Sequence, residues 1–352
     1  MKQFYAHSTD NPDKSDWQTL EGHLEGVAKL AEEFAAVFGA GEWGKLAGLW
    51  HDLGKYSEAF QRRLEGENIR VVHAEAGGHF ASLNKWQGAD KVLSWLIMGH
   101  HAGLADFSPA ESGAKALEPK MRDPNRSAEI LKNVPQQILN QSLPTMPIMF
   151  SDQTIFPDLS FFIRMLYSCL VDADFLDTEA FLDPQREKDR NTKMPDIESL
   201  ATAFDQHMSQ FDSSSGNVNE CRALVLKQCR AAADKGDGVF SLTVPTGGGK
   251  TLSSLAFALR HAVKHGKRRV IYVIPYTSII EQTASVFRGI PGFVDAVLEH
   301  HSNLVWDDGH EDENRKKRLA MENWDSPIIV TTSVQFFESL YANRSSRCRK
   351  LH

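Results

Sequence analysis

The chain has 352 residues, 41% of them hydrophobic, and a formal net charge of −7. That length is long for one domain and comfortable for two. No apolar run approaches the roughly 20 residues a membrane span needs, and Met1–His7 lacks the apolar core of a signal peptide. Cys169, Cys221, Cys229 and Cys348 show no C-x-x-C spacing, which argues against a zinc knuckle or a disulfide framework and for a cytoplasmic protein with reduced thiols.

The net charge hides an asymmetry. Residues 1–212 carry 20 Lys and Arg against 32 Asp and Glu, a balance of −12; residues 213–352 carry 19 against 14, a balance of +5. The acidic part suits cations and the basic part suits phosphates.

In chain order, residues 17–39 read as an amphipathic helix. Leu20, Leu24, Val27, Leu30, Ala31, Phe34 and Phe38 mark its apolar stripe, and His23 lies near it. Trp43 to Lys55 reads as a second helix, ending at His51-Asp52-Leu53-Gly54-Lys55. Adjacent residues on a helix point about 100° apart, so His51 and Asp52 can approach one point only from a helix end or a kink. Gly54 would let the backbone turn, and Lys55 adds a positive charge beside the pair. The ordinary reading of these residues is a helix end with a Gly stop and a Lys on the dipole. The histidines that follow reverse that preference.

His73 and His79 precede or open a helix running through Ala81, Leu83 and Trp86. Val92 to His100 is an apolar helix closed by His100-His101. Residues 103–158 are broken up by prolines and read as an insertion with short helices. Leu159 to Phe181 is again helical and carries Asp172-Ala173-Asp174. An Asp facing a helical core is costly unless paired or metal-bound. Residues 183–219 are polar, and Ser213-Ser214-Ser215-Gly216 has linker composition, which places a domain boundary at 212/213.

The period then changes. Gly238–Val244 is expected as a short strand, followed by Pro245-Thr246-Gly247-Gly248-Gly249-Lys250-Thr251 and a helix to His265. Strands are expected at 268–274, 295–298 and 328–332, with helices at 277–287 and 315–324. Such alternation implies a parallel sheet with helices on both faces. In the phosphate loop, the backbone N–H groups of 247–249 would turn around a triphosphate. Lys250 would reach the terminal phosphates, and the Thr251 hydroxyl would hold Mg²⁺.

His23, His51, Asp52, His73, His100, His101 and Asp174 form a set of helix-end or helix-face donors. Imidazoles with carboxylates suit Mn, Fe, Co, Ni or Zn better than Mg or Ca. A bridging carboxylate could hold two ions about 3.5–4 Å apart, the separation used to cleave phosphodiesters.

The order of these residues, with Ile274–Gln282 and Val330–Ser333, resembles the nuclease–helicase family of type I CRISPR systems. There an all-α HD-type phosphohydrolase domain precedes a superfamily-two helicase. The resemblance implies an HD domain over 1–212 and an incomplete α/β RecA-like lobe with a parallel sheet over 213–352. It implies a first metal held by His23, His51, Asp52 and Asp174, and a second by Asp52, His73, His100 and His101. Asp52 and Lys55 would be catalytic, and Lys55 would lie near the reactive phosphate. Thr246 to Thr251 would bind nucleotide, and Thr277 and Thr332 would touch the DNA backbone. His79 competes with His73 and Asp172 with Asp174; the Ala-Asp pair favours Asp174.

The expected cofactors are two divalent transition-metal ions, with ATP and Mg²⁺ only if the helicase were complete. The expected partners are single-stranded DNA and a guide-RNA surveillance complex, with the chain a monomer. The family's Asp-Glu-x-His-type motif, arginine fingers and second lobe do not occur before His352, so the lobe reads as truncated and the nuclease as the intact activity. Other readings are an HD phosphohydrolase acting on nucleotides and a non-catalytic module docking on a surveillance complex.

Overall fold

A computed structural model describes residues 2–86, 88–112, 116–123, 127–147, 155–211, 216–302, 311–342 and 344–352. The proposed linker residues Ser213 to Ser215 and parts of the 103–158 insertion lie outside them. The chain folds into two compact units, one of residues 1–188 with 338–352 and one of residues 189–337.

The first unit is helical, with a short antiparallel pairing of Tyr5–His7 with Gln18–Thr19. Its first helix, Leu20–Ala36, starts where the Thr19 hydroxyl accepts a hydrogen bond from the Gly22 amide. Leu20, Leu24, Val27, Ala28, Ala31 and Ala35 recur every three or four residues and are buried. The next helix, Gly41–Trp50, packs directly on it. Two glycines permit that approach: a Cβ on Gly44 would lie 2.2 Å from the Ala31 carbonyl oxygen, and one on Gly48 would lie 2.4 Å from the Ala28 Cα. Small residues on the facing turns therefore bring His23 and His51 side by side.

Helices Ala74–Leu83 and Ala89–Gly99 form a second pair, and the long helix Ile155–Leu182 packs against Leu20–Ala36, Gly41–Trp50 and Ala89–Gly99. The core combines Trp43, Trp50, Leu93, Phe162, Leu166 and Tyr167 with the alanines above. Within 103–158 the described residues form the short helices Pro109–Ser112, Leu117–Met121, Ala128–Leu131 and Gln136–Leu139, as proline spacing suggested.

The second unit holds a three-stranded parallel sheet. Ile328–Thr332 lies between Val270–Ile274 and Val297–His300. Helices Lys250–Lys264 and Thr277–Arg288 share one core with Ile328 and Val330. The stretch read as merely polar contains an amphipathic helix, Ile197–Met208, capped by the Asp196 side chain. Its Ile197, Leu200 and Phe204 enter this second core, so the boundary between the units falls ahead of residue 212.

One strand expectation is corrected. Gly238–Val244 is not a strand, and Val239 is fully exposed. A strand is held by a ladder to a neighbour, and no strand among the described residues pairs with this segment.

Candidate metal centre

The helix Gly41–Trp50 stops immediately before the His-Asp pair. His51 is its C-terminal cap, and Asp52 leaves helical geometry at φ −117 and ψ 26. This helix end turns both side chains toward one point. A 3₁₀ turn, Leu53–Tyr56, follows and carries Lys55. Gly54 serves a close approach rather than a left-handed turn: a Cβ there would lie 2.1 Å from the His73 carbonyl oxygen. The missing side chain lets the His73 backbone lie against the turn.

The same device aims two imidazoles. His51 donates from Nδ1 to the Gly48 carbonyl at 2.8 Å, and His100 donates from Nδ1 to the Ile97 carbonyl at 2.6 Å. Each caps a helix and uses a last-turn carbonyl, which leaves an Nε2 lone pair turned inward. On the long helix, Asp174 Oδ1 lies 3.6 Å from His23 Nε2 and 3.5 Å from His51 Nε2.

Asp52 joins two sets of donors through its two oxygens. Oδ2 lies 3.5 Å from His51 Nε2 and 3.7 Å from His23 Nε2; Oδ1 lies 3.4 Å from His100 Nε2 and 3.6 Å from His73 Nε2. His101 completes the second set, with Nε2 at 2.7 Å from His73 Nε2. The seven side chains thus fall into two groups able to hold metal ions, Asp52 with His73, His100 and His101, and His23 with His51 and Asp174.

The donor set fits divalent transition ions. His23 Nε2, His51 Nε2, His100 Nε2 and Asp52 Oδ1 are buried without a hydrogen-bond partner. Orphaned buried acceptors are costly, and here they converge at separations near the ~3.3 Å edge of a tetrahedron with ligand distances of about 2.0–2.1 Å.

Electrostatics favours the ligand form of Asp52, Asp174 and His101 but not of His23. Burial opposes ionisation of Asp52, but Lys55 and His51 overcome it and hold its carboxyl well below the usual range. The Lys55 ammonium, itself buried, lies 2.8 Å from Asp52 Oδ2. Burial also opposes ionisation of Asp174, and contacts with His51 and His23 more than offset this and lower its pKa. Burial, followed by the charge of His100, lowers His101 to about 3. Burial pulls His23 down, yet its bond to Asp177 and the nearby Asp52 carboxylate raise it overall.

The two competing assignments separate in space. His79 uses Nδ1 with Ser127 Oγ and Nε2 with the Lys120 carbonyl, each at 2.8 Å. Asp172 is ion-paired with Arg349 at 2.5 Å and lies 3.2 Å from His352 Nε2. Sequence reasoning passed over Asp177, which accepts from Gln18 Nε2 at 2.8 Å and bonds His23 Nδ1 at 2.7 Å. Its spacing of three from Asp174, on one helix face, was the available signal. His7, whose ring meets His23 edge-on at 5.1 Å, was also missed.

In the second unit, Gly247 and Gly249 both have φ +82, the left-handed conformation that favours glycine. Gly249 caps the helix that begins at Lys250, and Arg222 Nε donates to the Gly247 carbonyl at 2.9 Å. Thr246 and Thr251 flank this exposed loop. Ile274 and Thr332 are in register, so Thr332, the last residue of its strand, and the helix start at Thr277 lie at the carboxyl edge of the parallel sheet. Open parallel sheets place ligands at that edge.

The DEAD/DEAH box helicase family matches residues 225–352. The CRISPR-associated nuclease/helicase Cas3 of Haloferax volcanii is 33% identical over 133 residues, covering 32% of this chain and 14% of that protein. The crystal structure of T. fusca Cas3 with AMPPNP is similar over 98% of this chain, with a TM-score of 0.60 and 17% identity. T. fusca Cas3 without nucleotide gives 0.59, also at 17% identity. The chain spans 45% of the length of those two structures. The fold is therefore Cas3-like: a helical N-terminal region followed by a partial RecA-like lobe with a three-stranded parallel sheet.

Proposed function

We propose that the chain is a metal-dependent nuclease that cleaves single-stranded DNA in type I CRISPR interference, its HD-type domain joined to a partial helicase lobe. The observation that carries this reading is the Asp52 carboxylate, with one oxygen toward His23 and His51 and the other toward His73 and His100. A carboxylate so placed suits a bridge between two ions. His23, His51, Asp52 and Asp174 would hold the first; Asp52, His73, His100 and His101 would hold the second. Mn, Fe, Co or Ni fit the mixed imidazole and carboxylate donors. When bound, such a pair supplies a nucleophile at neutral pH and neutralises charge on a phosphodiester.

The chain's own groups do the rest. Asp52 keeps the two donor sets in fixed relation. Asp177 holds the His23 ring through Nδ1 so that Nε2 faces inward. Lys55, in contact with Asp52 Oδ2, provides the positive charge beside the reacting phosphate. His101, held neutral, keeps a lone pair for coordination rather than a proton.

In the second unit, residues Thr246 to Thr251 bind nucleotide phosphates, and Thr277 and Thr332 contact the DNA backbone. A guide-RNA surveillance complex delivers the strand, and the protein acts in the cytoplasm. No helix among the described residues is long and apolar enough to cross a membrane.

The test is cleavage of circular single-stranded DNA with Mn²⁺ and without ATP, beside Asp52→Ala. Cleavage by the parent and none by the variant is expected. Release of phosphate from free nucleotides, with circular DNA intact, would replace this reading with nucleotide phosphohydrolysis.

A further inference from the structure

The helix that begins at the phosphate loop carries two histidines in its last turn and at its cap, His261 and His265. Four residues apart, they share one helix face, and their ring centroids are 4.2 Å apart. Each is tied to a backbone carbonyl of the preceding segment. His261 donates from Nδ1 to the Ala233 carbonyl at 3.0 Å, and His265 donates from Nε2 to the Lys235 carbonyl at 2.8 Å. A carbonyl oxygen only accepts, so these bonds place the proton on the named nitrogen. The lone pair of a neutral ring then sits on His261 Nε2 and on His265 Nδ1. His51 and His100 in the first unit are also fixed by backbone carbonyls, there from Nδ1 to their own helices.

Asp237 completes the group. Its Oδ1 lies 3.4 Å from His261 Nε2, while Oδ2 is held by Lys267 Nζ at 3.1 Å. A ligand atom from each of Asp237, His261 and His265 lies within 4.8 Å of the other two. A lone pair facing a carboxylate oxygen is repulsive unless a proton or a metal cation lies between them, and this spacing accommodates either. The separation is also close to the ~3.3 Å expected between two ligands of one tetrahedral ion. The site sits at the helix C-terminus, where the backbone dipole favours positive charge. The Phe257 ring stacks on His261 at an interplanar angle of 9°, fixing the imidazole plane.

We propose that Asp237, His261 and His265 bind one divalent transition-metal ion of the zinc class, independently of the Asp52 centre. Two imidazoles and one carboxylate select a borderline ion over Mg²⁺ or Ca²⁺, with water completing the coordination. The ion ties the 234–237 turn to the end of the helix headed by Lys250. It thereby anchors the exposed segment that leads from that turn into the phosphate loop.

Equilibrium dialysis of the full chain against Zn²⁺, followed by metal analysis, tests this. His261→Ala/His265→Ala should bind one equivalent fewer than the parent, and Asp52→Ala should keep that equivalent while losing zinc elsewhere. Parent-like zinc content in a folded double variant overturns the proposal. Should the double variant unfold by circular dichroism, Asp237→Asn decides, because its side chain is exposed. A rise of about tenfold or more in the zinc concentration for half-saturation of that equivalent supports the site; an unchanged value rejects it. Full zinc content in Asp52→Ala counts against the Asp52 centre and leaves this site standing.

Discussion

The candidate centre depends on which nitrogen of each imidazole carries the proton. His51 and His100 are set by carbonyls of their own helices, and His23 by a carboxylate, Asp177, 154 residues away in sequence. Removing Asp177 leaves His23 buried without the partner that orients it. Asp177→Ala should weaken metal binding by the His23, His51 and Asp174 group about 10–100-fold, the usual cost of losing such an orienting partner. Titration of the two groups by Mn²⁺ measures this, and the His73, His100 and His101 group should change little. Equal weakening of both groups would mean that Asp177 acts through general stability. Asp52→Ala should instead weaken metal binding by both groups and abolish cleavage, because one carboxylate serves both. The candidate ligands stand out in the sequence because His-Asp and His-His pairs end predicted helices. Asp177 does not, because an acidic residue near a helix C-terminus also reads as a solvated surface group.

At the scale of elements, the helices of the first unit approach so closely that backbones meet where glycine stands. A Cβ on Gly77 would fall 1.7 Å from the Trp50 carbonyl oxygen, and one on Gly54 would fall 2.1 Å from the His73 carbonyl oxygen. Gly77→Ala should destabilise the chain by about 1–3 kcal/mol or more, the range for overpacked cores, read as a lower denaturant midpoint. Gly236→Ala meets open space and is the control, expected within about 0.5 kcal/mol of the parent. Gly54→Ala should in addition displace His73 and lower metal content at the second group. Periodicity predicted the helices well, since Leu20, Leu24, Val27 and Ala31 pack as their spacing requires. It failed at 238–244, an apolar run with strand character but no paired neighbour among the described residues. It also passed over the helix Ile197–Met208, whose buried Ile197, Leu200 and Phe204 are spaced by three and four within an otherwise polar stretch.

At the scale of the whole molecule, residues 338–352 pack with the first unit, although they follow the sheet of the second. Arg349 meets Asp172 across 177 residues of sequence, both are buried, and no local pattern foretells the pairing. Arg349→Ala should cost less than the roughly 3–5 kcal/mol of a fully broken buried pair, because His352 Nε2 still lies 3.2 Å from Asp172 Oδ2; a melting curve of the chain reads this. The phosphate loop and the Asp52 centre, by contrast, belong to different compact units with separate cores. Lys250 heads a helix whose buried residues Leu255, Ala256 and Leu259 all lie in the second core. Its ammonium is exposed, and replacing it leaves that packing intact. Lys250→Ala should therefore remove nucleotide binding while leaving ATP-independent cleavage of single-stranded DNA at the parental rate. Parallel loss of both activities would instead mean that the state of the phosphate loop reaches the metal centre, and nuclease rates measured with and without nucleotide would then give the size of that coupling.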